Sequence, residues 1–111
     1  RTPMEILLTE APELDWEMDV AWVVRGEDDP KRWIDKYADR IVAVHLKDIA
    51  PEGEAADEDG WADLGHGTVP WKGLFADLKA KSKAKYFVME HDNPNDLERF
   101  AARSIATAKA L

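Results

Sequence analysis

Cysteine is absent from the 111-residue sequence. Its absence excludes disulfide bonds, cysteine-based zinc sites and thiol nucleophiles, and it agrees with our expectation of a cytoplasmic protein. Long apolar runs are also lacking, since none approaches the roughly 20 residues that a membrane-spanning helix requires. We therefore expect no membrane partner.

Basic residues are few relative to acidic ones. The chain has 15 Lys and Arg against 23 Asp and Glu, and its formal net charge is −8 at pH 7. Binding to nucleic acid depends on neutralising phosphates with Lys and Arg, so this balance opposes it. A cation or a neutral polar ligand is the more favourable partner. With 45% hydrophobic residues and five Trp, the composition is that of one folded domain.

Four prolines predict helix starts, because the first helical position does not need the N–H that proline lacks. Thr2, Pro3 and Glu5 have the spacing of a capping box. The other three helices are predicted to begin at or just after Pro30, Pro70 and Pro94. The last has an apolar stripe at helical spacing, formed by Leu97, Phe100, Ala101, Ile105 and Ala108.

Three short segments are predicted to be strands: 14–20, 41–47 and 86–90. The second and third are almost continuously apolar before their polar ends, as in strands buried on both faces. Helices separate the three segments, which predicts crossover connections and a parallel sheet of the α/β class. A long acidic loop, 49–69, follows the second strand and has the length of a lid or binding loop.

Polar residues stand where each predicted strand ends, and ligands bind at that edge of parallel α/β sheets. Asp19, His45 and Glu90 end the three strands, and side-chain alternation allows all three to point the same way. Two carboxylates and one imidazole suit Mn²⁺, Mg²⁺, Co²⁺, Fe²⁺ or Zn²⁺ and leave coordination positions open. We predict a divalent metal site here, with solvated strand-end charges as the alternative.

Other polar residues near these ends have simpler interpretations. Asp48 and Asp92 are predicted to be caps or solvated charges at the rim. His66 and His91 are predicted to be turn or surface histidines. Lys47 lies on the same strand face as His45.

The tryptophans are predicted mainly to pack in the core. This interpretation applies to Trp16, Trp22, Trp33 and Trp71. Trp22 and Trp61, which lie near a strand end and in the long loop, are also candidates for lining a sugar pocket.

Four successive blocks carry a resemblance to a known family: "WEMDVAW", "DPKRWIDKYADRIVAVHLKD", "DLGHGTVPWKGLF" and "YFVMEHDNP". They resemble the C-terminal part of sugar phosphate isomerases and epimerases, the xylose-isomerase-like TIM barrels. The resemblance implies that 1–111 is a single partial domain, the C-terminal half of a (β/α)8 TIM barrel with about three parallel strands alternating with four helices. Because such a barrel usually needs about 250 residues, we expect self-association or pairing with the missing barrel half.

The family holds its metal with a Glu, an Asp, a His and a second Glu, each at the end of a different strand. The resemblance places the last three on Asp19, His45 and Glu90, while the first Glu has no counterpart. Many members carry a His three residues after the strand-end Asp, where this chain has Trp22. The implied activity is isomerisation or epimerisation of a sugar or keto-sugar, phosphorylated or not, through an enediolate. A divalent metal is the implied cofactor, and a small sugar is the implied partner.

The resemblance also implies roles for individual residues. Glu90 would be both metal ligand and acid/base group, and Lys47 would stabilise the oxyanion or bind a hydroxyl. His66 would close over the substrate, and Trp22 would contact it.

Two alternatives stay open: an inosose-type dehydratase with the same metal site, and a non-catalytic half-barrel. Because one ligand of four is absent, we expect the chain alone to be inactive. The related zinc-dependent apurinic endonucleases are disfavoured by the acidic charge.

Overall fold

The computed structural model describes all 111 residues and contains five helices and a three-stranded parallel sheet. The helices are α1 (Pro3–Glu10), α2 (Val20–Arg25), α3 (Pro30–Tyr37), α4 (Trp71–Lys81) and α5 (Leu97–Ala110). The parallel strands are β1 (Trp16–Asp19), β2 (Ile41–Leu46) and β5 (Tyr86–Met89), in the order β1-β2-β5. A short antiparallel pair, β3 (Asp48–Ile49) and β4 (Trp61–Ala62), lies in the long loop, and 3-10 turns occupy Ala38–Arg40 and Ala56–Glu58. The predicted α/β class is confirmed. None of the helices combines the length and apolar character needed to cross a bilayer.

Local capping explains where the helices begin. At α1 the Glu5 N–H donates to Thr2 Oγ1 at 3.2 Å, and the Thr2 N–H donates to Glu5 Oε2 at 3.0 Å, so the predicted capping box is confirmed. Helices α3 and α4 begin at Pro30 and immediately after Pro70, as predicted. Helix α5 begins three residues after Pro94, because the Asp96 side chain caps it by accepting from the Arg99 N–H.

Helix α2 is an element that the sequence interpretation missed. Its N-cap is Asp19, the last residue of β1, whose Oδ1 accepts from the Trp22 N–H at 3.0 Å. The Asp19 carboxylate therefore lies at the end of a strand and caps a helix through Oδ1, which leaves Oδ2 available for other contacts. The chain turns into a helix directly at the strand end, without an intervening loop.

The parallel sheet is covered on only one face. Met18, Val44 and Leu46 are fully buried in a single core, together with residues of α3 and α4. On the opposite face Tyr86 is 69% exposed and Val88 is 43% exposed. The prediction that the third strand is buried on both faces is therefore wrong, because no element lies over this side of it.

Helix α5 is also less buried than its apolar stripe predicts. Leu97 is 71% exposed and Ile105 is 41% exposed, whereas Ser104 is fully buried. The Ser104 hydroxyl accepts from the Leu64 N–H at 3.3 Å. The helix thus packs its small polar side against the long loop, because no further strand or helix covers its apolar residues.

The long loop is anchored at both of its sides. The buried Asp48 carboxylate accepts from the N–H groups of Ile49, Gly65 and Val69 at 2.9, 2.9 and 3.0 Å. Asp48 therefore accepts hydrogen bonds from backbone N–H groups, as a cap does. Its side chain is buried and not solvated, and the segment that it holds is a loop and not the start of a helix. Arg99 on α5 holds the far side of the loop through Glu58 and Asp63. The loop is consequently an ordered part of the fold.

Gly67→Ala should weaken the hydrogen bonds by which Asp48 holds the long loop. A Cβ at position 67 would collide with the Asp48 carboxylate and the Ile49 carbonyl oxygen, so we expect the free energy of unfolding to fall by about 1–3 kcal/mol. Gly73→Ala is the matched control, because position 73 lies in α4 with open space around it. That control should gain about 0.5–1 kcal/mol. Urea unfolding followed by circular dichroism measures both, and equal shifts for the two variants would refute the collision.

Candidate metal centre

Strand register brings the three predicted ligands together. Asp19 is paired with His45 across β1 and β2, so both side chains leave the same face of the sheet. Glu90 follows β5, and its N–H continues the ladder by donating to the Leu46 carbonyl at 3.0 Å. His45 Nδ1 lies 3.3 Å from Asp19 Oδ2 and 2.5 Å from Glu90 Oε2. All three potential ligand atoms lie within 4.8 Å of one another.

This arrangement fits a small divalent cation. Such ions bind carboxylate oxygen and imidazole nitrogen at about 2.0–2.2 Å, so atoms that share an ion lie within a few ångströms of one another. The Asp19, His45 and Glu90 side chains are 17%, 27% and 29% exposed, so a dissolved ion can reach them. An oxygen and nitrogen donor set favours Mn²⁺, Mg²⁺, Co²⁺ or Zn²⁺ over a soft metal ion.

Lys47 is the buried cation of the cluster of strand-end side chains that contains Asp19, His45 and Glu90. Its Nζ lies 2.7 Å from Asp19 Oδ2, 2.9 Å from Asp92 Oδ2 and 3.1 Å from Glu90 Oε1, while its side chain is only 1% exposed. An ammonium has three protons, so these three carboxylates can take every donor that it has. Burial alone would lower the pKa of Lys47, but the carboxylates outweigh it and the pKa is raised. The role of Lys47 as a direct substrate contact stays a prediction.

Asp92 belongs to the same cluster; it is exposed at the rim, as predicted, but it does not cap a helix. Its Oδ2 accepts from Lys47 Nζ and from the Trp22 indole N–H at 2.9 and 3.0 Å. Burial and a hydrogen bond with Asp92 raise the pKa of Glu90. Burial would also raise the pKa of Asp92, but hydrogen bonds from Glu90, Lys47 and Trp22 lower it overall. The two-residue spacing between Glu90 and Asp92 was the available signal, because it matches strand alternation.

Glu17 is a second contributor to which the sequence interpretation gave no role. Its Oε1 lies 2.9 Å from His45 Nε2, so both ring nitrogens of His45 face carboxylates. Burial would lower the pKa of His45, but Glu90, Glu17 and Asp19 outweigh it and the pKa is raised. Glu17 shares a strand face with Asp19, two residues earlier, and that spacing was its only signal.

Trp22 forms an aromatic wall beside the cluster. It is 50% exposed, and its ring meets Trp61 edge-on with a centroid separation of 4.9 Å. Trp61 is only 2% exposed and supports Trp22 from beneath. It borders a pocket on the side of the long loop and not the cavity beside Asp19. Lys47 Nζ lies 4.9 Å from the Trp61 centroid and 5.6 Å from the Trp22 centroid.

The packing interpretation is confirmed for the remaining tryptophans and does not hold for Trp22. Trp16, Trp33 and Trp71 are 7%, 5% and 3% exposed and belong to the core. Trp22 is the one tryptophan that presents half of its surface to solvent.

The two other histidines lie apart from the metal candidates. His66 is exposed on its turn, as predicted, and borders a separate pocket of about 190 Å³ with Arg99 and Arg103. It makes no ion pair or side-chain hydrogen bond with the cluster. His91 was predicted to be at the surface, which is wrong, because its side chain is fully buried and meets Phe100 edge-on at 5.8 Å. Alternation after β5 turns it away from the face that Glu90 occupies.

A scan of the chain against protein-family models found no match, and a search of curated proteins found none either. The residue chemistry and the geometry of the strand ends therefore carry the functional conclusion.

Lys47→Met should destabilise the protein strongly. The variant keeps most of the side-chain volume but leaves Asp19, Glu90 and Asp92 facing one another without their shared cation. Removing one partner of a buried ion cluster lowers the free energy of unfolding by about 3–5 kcal/mol. Lys81→Met is the control, because the Lys81 ammonium pairs with Asp35 at the surface. Losing such an exposed ion pair should lower the free energy of unfolding by only about 0–1 kcal/mol. Urea unfolding gives both values, and similar losses in the two variants would contradict a balancing role for Lys47.

Proposed function

We propose that this chain carries the metal site of a divalent-metal-dependent isomerase or epimerase that acts on a sugar or keto-sugar through an enediolate. The observation that supports the proposal is the meeting of Asp19, His45 and Glu90 on one face, at the carboxyl ends of three adjacent parallel strands. Ligands of parallel α/β proteins bind at that edge of the sheet. The residue types are those that hold a hard divalent ion.

The individual residues have separable tasks in this proposal. Asp19, His45 and Glu90 hold the cation, which when bound supplies the Lewis acidity that polarises a carbonyl and its neighbouring hydroxyl. Glu90 moves a proton next to the carbonyl, as a positioned carboxylate does in general acid–base catalysis. Lys47 and Asp92 hold the oxygen atoms of Glu90 and its neighbours in place.

We further propose that the sheet is part of a TIM barrel, its C-terminal half. The strands follow one another in chain order, all parallel, and α3 and α4 lie together against the buried face. Helices on one side of a sheet in sequential order are typical of a barrel wall, whereas doubly wound sheets have helices on both faces. The exposed face at Tyr86 and Val88 and the unpaired edges of β1 and β5 agree with a wall that other strands complete.

A non-catalytic half-barrel is the second candidate, and the contacts of Lys47 favour it. This ammonium already contacts three carboxylates, including both acidic metal candidates. A cation must therefore compete with Lys47 for the oxygen atoms of Asp19 and Glu90. If the protein takes up no metal ion, the cluster is a structural ion-pair network.

Glu90→Gln should weaken Mn²⁺ binding by at least about tenfold, because it removes a charged oxygen ligand that faces His45 Nδ1 at 2.5 Å. Free Mn²⁺ measured by electron paramagnetic resonance gives the affinity, and circular dichroism checks that the variant folds. Glu98→Gln is the control, because this exposed residue in the first turn of α5 is remote from the cluster. In the parent enzyme, loss of turnover should accompany loss of metal.

Two outcomes would overturn the isomerase proposal. One is a wild-type chain that takes up no Mn²⁺, and the other is an affinity that Glu90→Gln and Glu98→Gln leave equally unchanged. Either result would favour the structural ion-pair network instead.

A further inference from the structure

His45 has two ring nitrogens, and each faces different carboxylates. Nδ1 lies 2.5 Å from Glu90 Oε2 and 3.3 Å from Asp19 Oδ2, so it faces both acidic metal candidates. Nε2 lies 2.9 Å from Glu17 Oε1. Because Nε2 points out of a different edge of the ring, only Nδ1 can share an ion with Asp19 and Glu90. Nδ1 is consequently the ligand atom that His45 offers to the candidate metal centre.

The other nitrogen of a metal-bound histidine needs a hydrogen-bond acceptor. A metal-bound imidazole is neutral, and its second nitrogen carries the ring proton. When Nδ1 of His45 binds the ion, that proton is on Nε2, and Glu17 Oε1 lies where the acceptor is required. Histidine ligands in proteins almost always donate this second N–H to a carboxylate, a backbone carbonyl or water, which fixes the orientation of the ring.

Strand geometry brings Glu17 to this place. Glu17 lies two residues before Asp19 on β1, so both side chains leave the same face of the sheet. Its partner across β2 is Ala43, whose methyl group is too short to obstruct it, and His45 is the next residue of β2 on that face. The Glu17 side chain therefore reaches the imidazole diagonally, while Asp19 is paired directly with His45.

The contact with His45 is the sole polar contact of the Glu17 carboxylate, whose side chain is 56% exposed. By contrast, Asp19, Glu90 and Asp92 all contact Lys47. Because Glu17 faces Nε2, it cannot serve as a further ligand of an ion that Nδ1 binds. Its effect on the metal site must therefore pass through the imidazole.

We propose that Glu17 is a positioning residue of the candidate metal centre: its carboxylate accepts the Nε2–H of His45 and so directs the Nδ1 lone pair at the ion. This inference rests on the proposed function, because it concerns how the same metal site is held. Glu17 itself has no contact with the ion.

Nuclear magnetic resonance of the Zn²⁺-loaded protein identifies the ring nitrogen that binds the ion, since Zn²⁺ is diamagnetic. The chain has three histidines, and after labelling them with nitrogen-15 the signals that are absent from His45→Gln belong to His45. Long-range proton–nitrogen correlation should show that Nδ1 of His45 is metal-bound and that Nε2 is protonated. A metal-bound Nε2 would overturn the proposal.

Three substitutions of Glu17 separate the hydrogen bond from the negative charge. Glu17→Ala removes both, Glu17→Asp keeps the charge but is one methylene too short to reach Nε2, and Glu17→Gln keeps an oxygen acceptor of the same reach without the charge. Glu17→Ala and Glu17→Asp should each weaken Mn²⁺ binding about tenfold, as loss of such a partner does at the lower end of its range, because Glu17 is more than half exposed. Glu17→Gln should stay within about threefold of the wild-type affinity and keep the protonated Nε2.

Glu13→Ala is the matched control, because it removes an exposed carboxylate that lies ahead of β1 and makes no contact with His45. It should leave the Mn²⁺ affinity unaltered. Electron paramagnetic resonance of free Mn²⁺ gives the affinity of each variant, and circular dichroism checks that each variant folds.

The inference and the proposed function fail in distinguishable ways. Affinities that no substitution of Glu17 alters overturn the positioning role and leave the metal site standing. The same holds if Glu17→Asp matches the wild type while Glu17→Gln matches Glu17→Ala, because Glu17 would then act through its charge alone. A chain that takes up neither Zn²⁺ nor Mn²⁺ overturns the proposed function itself.

Discussion

The buried ammonium of Lys47 is the interaction on which the functional end of the molecule depends. It follows β2 and holds one carboxylate from the end of β1 and two from the segment after β5. A charge this deeply buried is tolerated only when it is paired, and the acidic side chains need it equally, because they would otherwise repel one another. The ends of all three parallel strands are thus tied at one point, beneath Trp22 and beside Trp61.

The residue after Lys47 holds the long loop and not the strand ends. Asp48 points away from Lys47 by strand alternation and gathers backbone N–H groups of the long loop. The loop returns Trp61 to the cluster, where it supports Trp22. Arg99 on α5 then fastens the loop from outside through Glu58 and Asp63. Lys47 therefore organises the strand-end site on one face, and the adjacent, oppositely charged Asp48 organises the supporting loop on the other.

Metal binding and ion pairing draw on the same atoms. Asp19 Oδ2 contacts both His45 and Lys47, while Glu90 uses one oxygen for each of them. The affinity for a cation is consequently a balance between a metal bond and an existing buried ion pair. The proposed enzyme and the non-catalytic half-barrel differ in which side of that balance prevails.

The sequence by itself determined the α/β alternation, most helix starts and the meeting of Asp19, His45 and Glu90, because proline geometry, capping and strand alternation act over a few residues. Tertiary structure alone decided that Asp92 and Glu17 join the cluster, that His91 is buried, and that Lys47 gives all its donors to carboxylates. It also decided the exposed faces of β5 and α5, which periodicity predicted to be buried. These features depend on which distant segments lie over a given side chain. The local spacing of Glu17 and Asp92 allows their part in the cluster but does not decide it.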